Sequence, residues 1–178
     1  LIERDILTSG TTWHAAGMVT QLGTTPQITK IRKSSVKFYK DLKHITGQDT
    51  SFRHTGTINI ATTKPRYQEY LRQLTTSKLL DLDIEIINKN KFKDLYPIAK
   101  NKDIYGGLYI PQDGQADPEI LTKVIAAAAK KEGVKIFEKC KLQKILKREN
   151  QIRGVKTNLG TINCEYIVLC AGMWSRQI

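Results

Sequence analysis

The sequence predicts an α/β chain in which Rossmann-like elements at both ends are interrupted by an antiparallel unit. Three observations predict it. Leu1-Ile2-Glu3-Arg4 reads as the end of a buried strand closed by a carboxylate, and Leu7 to Val19 follows as a loop of hydroxyl residues and glycines holding one His. The middle, about Gln48 to Gln115, carries short alternating strands rich in Thr and Ile, as an antiparallel sheet with one solvated face requires. Tyr166 to Ala171 is wholly apolar and ends at Gly172, which suits a middle strand of a parallel sheet covered on both faces. A strand that ends in glycine is where an open α/β sheet admits a ligand.

The elements follow in order. Pro26 to Thr46 places Ile28, Ile31, Phe38, Leu42 and Ile45 at helical spacing, and Gly47 is a fitting stop. Phe52 to Thr62 alternates and reads as a strand. Pro65 to Leu80 reads as a helix with Tyr67, Tyr70, Leu71 and Leu74 on one side. Asp83 to Asn88 is a short strand, and Lys91 to Tyr96 is a short helix stopped before Pro97. Ile104 to Pro111 is a further strand, with Gly106 and Gly107 at a bulge or a close approach. Asp113 to Glu119 is a turn into a helix: Asp117 is the N-cap, Pro118 fits the first helical position, and Glu119 complements the dipole. That helix runs to Glu132 and stops at Gly133. Strands are expected at Val134 to Phe137, Leu142 to Lys147 and Ile152 to Thr157. Asn158-Leu159-Gly160 then turns the chain back into Thr161 to Cys164, before the apolar run Tyr166 to Ala171.

Composition narrows the class. The chain has 178 residues, 40% of them hydrophobic, enough for a packed core. No apolar run approaches the roughly 20 residues that span a bilayer. The net charge is +12, from 29 basic and 17 acidic residues. Such a balance suits an anionic partner, but the cations are scattered (Lys30, Arg32, Lys33, Lys37, Lys40 and Lys43 on one helix, others around Lys91 and Lys144) and no run is interleaved with stacking aromatics. The reading is therefore solvated faces, with no nucleic acid and no membrane as partner. Cys140, Cys164 and Cys170 are odd in number and lack metal spacing, which favours a reducing compartment and no metal site.

The opening residues suit a dinucleotide. A carboxylate at a strand end can accept ribose hydroxyls, and the amides of the loop after it can face phosphate. The Gly-rich turn expected about 20 residues before such a Glu is absent, and Met173 to Ile178 follow an apolar strand and stop without a cap, so both ends read as cuts in a longer protein.

Glu3-Arg4, the string Leu7-Thr-Ser-Gly-Thr-Thr-Trp-His-Ala-Ala-Gly17, Asp113-Gly114 with Asp117-Pro118, and Cys170-Ala-Gly-Met-Trp174 resemble one family over nearly the whole chain. It is the FAD-dependent amine oxidoreductases of the D-amino acid oxidase superfamily, in the branch of sarcosine dehydrogenase and dimethylglycine dehydrogenase. The resemblance implies an incomplete FAD-binding Rossmann-like domain with an inserted antiparallel-sheet substrate domain. The boundaries read as 1–47 and 117–178 for the FAD domain and 48–116 for the insertion.

In that family the His of the string is joined covalently to the flavin, and the matching residue is His14. The plainer reading of a lone His in a glycine loop is a capping or core role; the matched string favours attachment. The resemblance further implies that Glu3 binds the adenosine ribose and that Arg4 lies near ribose or adenine. Gly10, Thr11 and Thr12, with their neighbours Thr8 and Ser9, would meet pyrophosphate and ribityl. Trp13, Ala15, Ala16, Gly17 and Met18 would frame the attachment, because small residues let the ring approach the backbone. Leu142 would offer a backbone contact to the adenine side, and Gly172 and Trp174 would touch the cofactor. His44 and His54 carry no such support, and nothing selects Arg53 as a contact for an anionic substrate over a surface role.

The implied reaction is oxidation of an N-methyl amine such as sarcosine or dimethylglycine, with hydride passing to the flavin and the one-carbon unit taken up by water, or by tetrahydrofolate in a domain beyond this chain. The acceptor would be an electron-transfer flavoprotein or oxygen. Catalytic residues other than the flavin anchor are expected beyond Ile178. A catalytically silent relative, such as a regulatory subunit of a phosphatase, is the alternative. The compartment implied is bacterial cytoplasm or the mitochondrial matrix.

Overall fold

The computed structural model describes residues 1–178. The chain divides into two compact units, Ala16–Val124 and Leu1–Ala15 with Ile125–Ile178.

The unit Ala16–Val124 opens with strand β1 (Met18–Val19) and helix α1 (Pro26–Thr46). Thr25 caps α1 by accepting from the Ile28 N–H, Pro26 stands in the first turn, and Gly47 ends it in a left-handed conformation with its N–H on the Lys43 carbonyl. Strand β2 (Thr57–Ala61), helix α2 (Lys64–Leu79), strand β3 (Glu85–Ile87), helix α3 (Lys89–Leu95), strand β4 (Gly106–Ile110) and strand β5 (Gly114–Gln115) follow. β4 is central in a three-stranded antiparallel sheet of order β2-β4-β3, as the alternating patterns predict. Its face against α2 holds the core: Ala61, Tyr70, Leu82, Ile84, Leu108 and Ile110 pack together, with Tyr67 and Leu74 of α2 against them.

Two details differ from the sequence reading. Phe52 to Thr62 is not one strand. Arg53 makes an isolated bridge to Gln115, and the ladder to β4 starts only at Thr57. Gly56, at a φ of +69°, turns the chain between them, with its N–H on the Asp113 carbonyl. Gly114–Gln115, read as a turn, is β5 and pairs antiparallel with β1. Gly106 is a close approach, not a bulge: a Cβ there would lie 2.5 Å from the Ile87 carbonyl oxygen and from the Tyr67 ring.

Helix α4 (Pro118–Lys131) starts as expected, with the Asp117 carboxylate accepting from the N–H groups of Glu119 (2.9 Å) and Ile120 (3.0 Å). The division between the units falls within this helix.

In the other unit, β6 (Leu142–Arg148), β7 (Gln151–Thr157) and β8 (Gly160–Asn163) form an antiparallel meander. Glu149 and Asn150 join β6 to β7 with φ of 51° and 59°, the positive angles that match the strands' twist in a tight hairpin. Parallel pairing is limited to one bridge, Ile2 with Phe137. The strand expected at Val134 to Phe137 is reduced to that residue. The strand expected at Tyr166 to Ala171 does not form; the segment pairs with no strand, and Tyr166 and Val168 are each 87% exposed. Apolarity marks a segment for burial, but a strand also needs a ladder on its N–H and C=O groups. No strand of this chain supplies one there. The chain ends in a short 3-10 helix, Gly172–Gln177.

Candidate functional site

Glu3 is held at the parallel bridge. Its N–H donates to the Phe137 carbonyl (2.8 Å) and its carbonyl accepts from the Cys140 N–H (2.8 Å). The half-buried side chain accepts the Asp5 N–H at 2.9 Å through Oε1. The buried strand expected to end here is reduced to the single bridge at Ile2, with Leu1 62% exposed, and the Glu3 carboxylate is held by the Asp5 N–H.

Arg4 places its guanidinium 5.3 Å from the centre of the Trp174 ring, within range of a cation–π contact, while its Nε donates to Asp5 at 3.0 Å. Gly10 lies against the same indole: a Cβ there would stand 4.0 Å from Trp174 Cζ3. Residues 4, 10 and 174 thus meet, although 170 positions of sequence separate the outer two. Gly172, at a φ of +54°, starts the 3-10 helix that carries Trp174. Leu142 is not one of these contacts; it opens β6 opposite Thr157.

The loop from Leu7 to Ala15 is a chain of turns. The Leu7 N–H donates to Glu138 Oε1 (2.7 Å), the Ser9 hydroxyl to the Ile6 carbonyl (2.8 Å), and the Trp13 N–H to the Thr8 carbonyl (3.2 Å). Between these ties the N–H groups of Gly10, Thr11 and Thr12 have no acceptor in the protein. Three successive free amides with hydroxyls beside them are donors of the kind that take phosphate, so the loop's chemistry fits a dinucleotide. Trp13 and His14 are exposed, their rings edge to face at 4.7 Å and 72°. His14 stands between Trp13 and the small residues Ala15, Ala16 and Gly17.

In the unit Ala16–Val124, Gly17 and Met18 enter β1 beside β5. Met18 faces Gln115, and Gly17 accepts the Ala116 N–H at 2.9 Å. Gly17 has a φ of +72°, and a Cβ would collide with the Ala116 carbonyl oxygen. Gly17→Ala therefore meets left-handed backbone and a backbone clash together. It is expected to cost about 1–3 kcal/mol, read as a lower urea midpoint of the protein; a change below about 0.5 kcal/mol contradicts it.

Asp113 was missed as a site candidate. It is fully buried, its Oδ1 accepts from the Gln21 N–H (2.8 Å), and its Oδ2 from the Thr57 hydroxyl (2.6 Å). The sequence signals were an Asp-Gly pair between strands and its place among the residues that carry the family resemblance. A cleft of about 290 Å³ was also missed. It lies between α3 and the sheet and is walled by Ile58, Ile60, Phe92, Leu95, Tyr96 and Tyr109.

Arg53 is engaged at the surface. Its guanidinium forks onto Asp49, at 3.0 Å to Oδ1 and 2.6 Å to Oδ2. That hydrogen bond, then the Ser51 N–H, hold the Asp49 carboxyl well below the ordinary aspartate value, at about 2. A depressed carboxyl contributes stability above its unfolded value near 4 that is lost as pH falls toward 2. Arg53→Met is expected to return Asp49 toward its ordinary value in a side-chain carbon NMR titration; an unmoved Asp49 contradicts this. His54 is exposed, with Nδ1 3.1 Å from the Gln112 carbonyl, which only accepts and so fixes the proton on Nδ1. His44 is exposed in the last turn of α1. No helix is long and apolar enough to cross a membrane.

The family model described as FAD dependent oxidoreductase matches residues 1–178. The chain is 33% identical over 178 residues to the 4-methylaminobutanoate oxidase (formaldehyde-forming) of Paenarthrobacter nicotinovorans, covering all of this chain and 22% of that protein. It is 35% identical to the mitochondrial dimethylglycine dehydrogenase of Rattus norvegicus, covering all of this chain and 21% of that one. Among solved structures, L-proline dehydrogenase from P. horikoshii superposes with a TM-score of 0.94 at 25% identity, over 99% of this chain and 47% of that one. The chain thus spans about a fifth of the length of the curated relatives it matches. With a carboxylate beside the parallel bridge, a loop of free amides and an antiparallel sheet in place, and a family match from end to end, the chain belongs to the FAD-dependent oxidoreductases of the D-amino acid oxidase type.

Proposed function

We propose that this chain is the flavin-anchoring part of an enzyme that oxidises a small N-methylated amino acid, such as sarcosine or dimethylglycine, and carries FAD attached through His14. The observation that supports it is the Trp13-His14-Ala15-Ala16-Gly17 string, set on a turn whose preceding amides, Gly10 to Thr12, are free to receive phosphate. The names of the two similar proteins, an oxidase of a methylamino acid and a dimethylglycine dehydrogenase, point to the same substrate class.

Each residue has a part in this reading. Glu3 accepts the ribose hydroxyls, and Arg4 with Trp174 borders the adenosine side. Gly10, Thr11 and Thr12 hold the pyrophosphate and ribityl. Trp13, Ala15, Ala16, Gly17 and Met18 frame the His14 attachment, and Leu142 and Gly172 offer backbone contacts. The bound flavin supplies a two-electron acceptor, and the protein supplies orientation and electrostatics. Residues 1–47 and 117–178 serve the FAD domain and 48–116 the substrate domain. The electrons go on to an electron-transfer flavoprotein or to oxygen. Tetrahydrofolate, if used, binds outside this chain. The compartment is bacterial cytoplasm, with the mitochondrial matrix as alternative.

Mass spectrometry of the proteolytic peptide containing His14, from the full-length holoprotein, tests the reading. A mass increase equal to FAD, on the imidazole, is expected. An unmodified peptide from a yellow protein overturns the linkage, and a colourless protein overturns the flavoenzyme.

A further inference from the structure

Asp113 is a buried ionisable group that no role above employs. It is 0% exposed, and no Lys, Arg or His pairs with it. Taking an unpaired carboxylate out of water is costly, and an apolar residue would avoid that cost. What the carboxylate does that an apolar residue cannot is accept from two sides at once. Oδ1 takes the Gln21 N–H at 2.8 Å, with the Gln21 amide at 3.5 Å, and Oδ2 takes the Thr57 hydroxyl at 2.6 Å. Its own carbonyl accepts the Gly56 N–H at 2.9 Å. One side chain thereby ties the segment after β1 to the first residue of β2.

The residues that follow continue the same grip. Gly114 pairs with Val19, Gln115 pairs with Met18, and the Ala116 N–H donates to the Gly17 carbonyl. Four successive residues, 113–116, therefore hold Gly17, Met18, Val19 and Gln21. In sequence that segment follows directly on the flavin-linking string. β1 and β5 have two residues each, and isolated ladders of that length are marginal in water. The hydrogen bond that Asp113 accepts from the Gln21 N–H is the side-chain tie in the set.

We propose that Asp113 is a positioning residue for flavin attachment: its carboxylate seats Gly17 to Gln21, and so fixes the downstream end of the string that carries His14. The proposal rests on the linkage reading above. Attachment joins an imidazole nitrogen to a methyl carbon of the flavin ring; two protons leave, and two electrons pass through the flavin to dioxygen. A string with a loose end meets that carbon less often, while binding of FAD itself is left intact.

The test uses the full-length protein expressed with FAD present. Asp113→Ala is expected to lower the fraction of flavin retained after acid precipitation roughly tenfold, the factor that one lost hydrogen bond to a charged group corresponds to. Total FAD bound before precipitation should be unchanged, and amide exchange at Met18 to Gln21 should quicken. Asp113→Asn should restore most of the retained fraction, because its carbonyl still accepts the Gln21 N–H while Thr57 turns to accept its amide. Phe92→Ala, which destabilises the same unit through α3, should leave the retained fraction as in the unsubstituted protein. Normal retention in Asp113→Ala overturns the proposal, as does an equal loss in Phe92→Ala. If Asp113→Ala does not fold, the Asn variant decides: exchange at Met18 to Gln21 as slow as in the parent supports the seat, and exchange as fast as in unstructured peptide overturns it. Flavin wholly released from the unsubstituted protein overturns the linkage reading, and this proposal with it.

Discussion

His14→Ala in the full-length protein is expected to release all of its flavin on acid precipitation, where the unsubstituted protein keeps its colour in the pellet. This is a change of kind, because a methyl side chain has no nitrogen to form the bond. FAD should still bind before precipitation, since Glu3 and the amides of Gly10 to Thr12, the groups proposed to hold it, are untouched. The turn itself should survive. His14 is exposed, and the ties that shape the loop run from Ser9, Trp13 and Ala15 to backbone carbonyls. Substrate-driven bleaching of the flavin should slow or stop, because attachment makes the flavin a better electron acceptor in this reading. Absorbance of the precipitated and redissolved protein measures the first effect. Colour that stays with the His14→Ala pellet would place the attachment at another residue.

Leu108→Ala carries the largest expected effect on stability. Leu108 is 0% exposed, and its strand pairs on both sides, with Asn59 of β2 and Ile86 of β3. Its side chain packs in the cluster with Ala61, Tyr70, Leu82, Ile84 and Ile110. Truncation there loses the transfer energy of the removed atoms and leaves a cavity that a hydrogen-bonded sheet is slow to close. The expected cost is about 2–5 kcal/mol. Set against a typical domain stability of about 5–15 kcal/mol, that is a large share. The measurement is the urea midpoint with its slope unchanged; a loss under about 1 kcal/mol would show that the core lies elsewhere.

How much was legible in advance depends on the range of the interaction. The helices were written locally. Thr25 opens α1 and Asp117 opens α4, each by a side chain accepting from an N–H within three residues, and Gly47 closes α1 through its own N–H on the Lys43 carbonyl. The hairpin at Asn158 to Gly160 was equally local, with β7 ending at Thr157 and β8 starting at Gly160. The short helix was misplaced by two residues, because Asn88 caps it through Asn90 and Lys91 and was read as strand. Of the candidate site, the string around His14 and the carboxylate of Glu3 could be named from residue type and order.

What could not be read was partnership. The sequence by itself determined the ends of α1, the start of α4, the alternation that builds β2-β4-β3, and the string that marks the family. Only the tertiary structure decided that Arg4 lies over Trp174, that Asp113 joins Gln21 to Thr57, and that Tyr166 to Ala171 stands without a ladder. The reason is one of distance along the chain. A cap or a turn is satisfied within a few residues, so its chemistry is visible where it acts. A buried carboxylate, a stacked cation or a strand pairing depends on groups tens of residues away, and their identity is fixed only when the chain closes on itself.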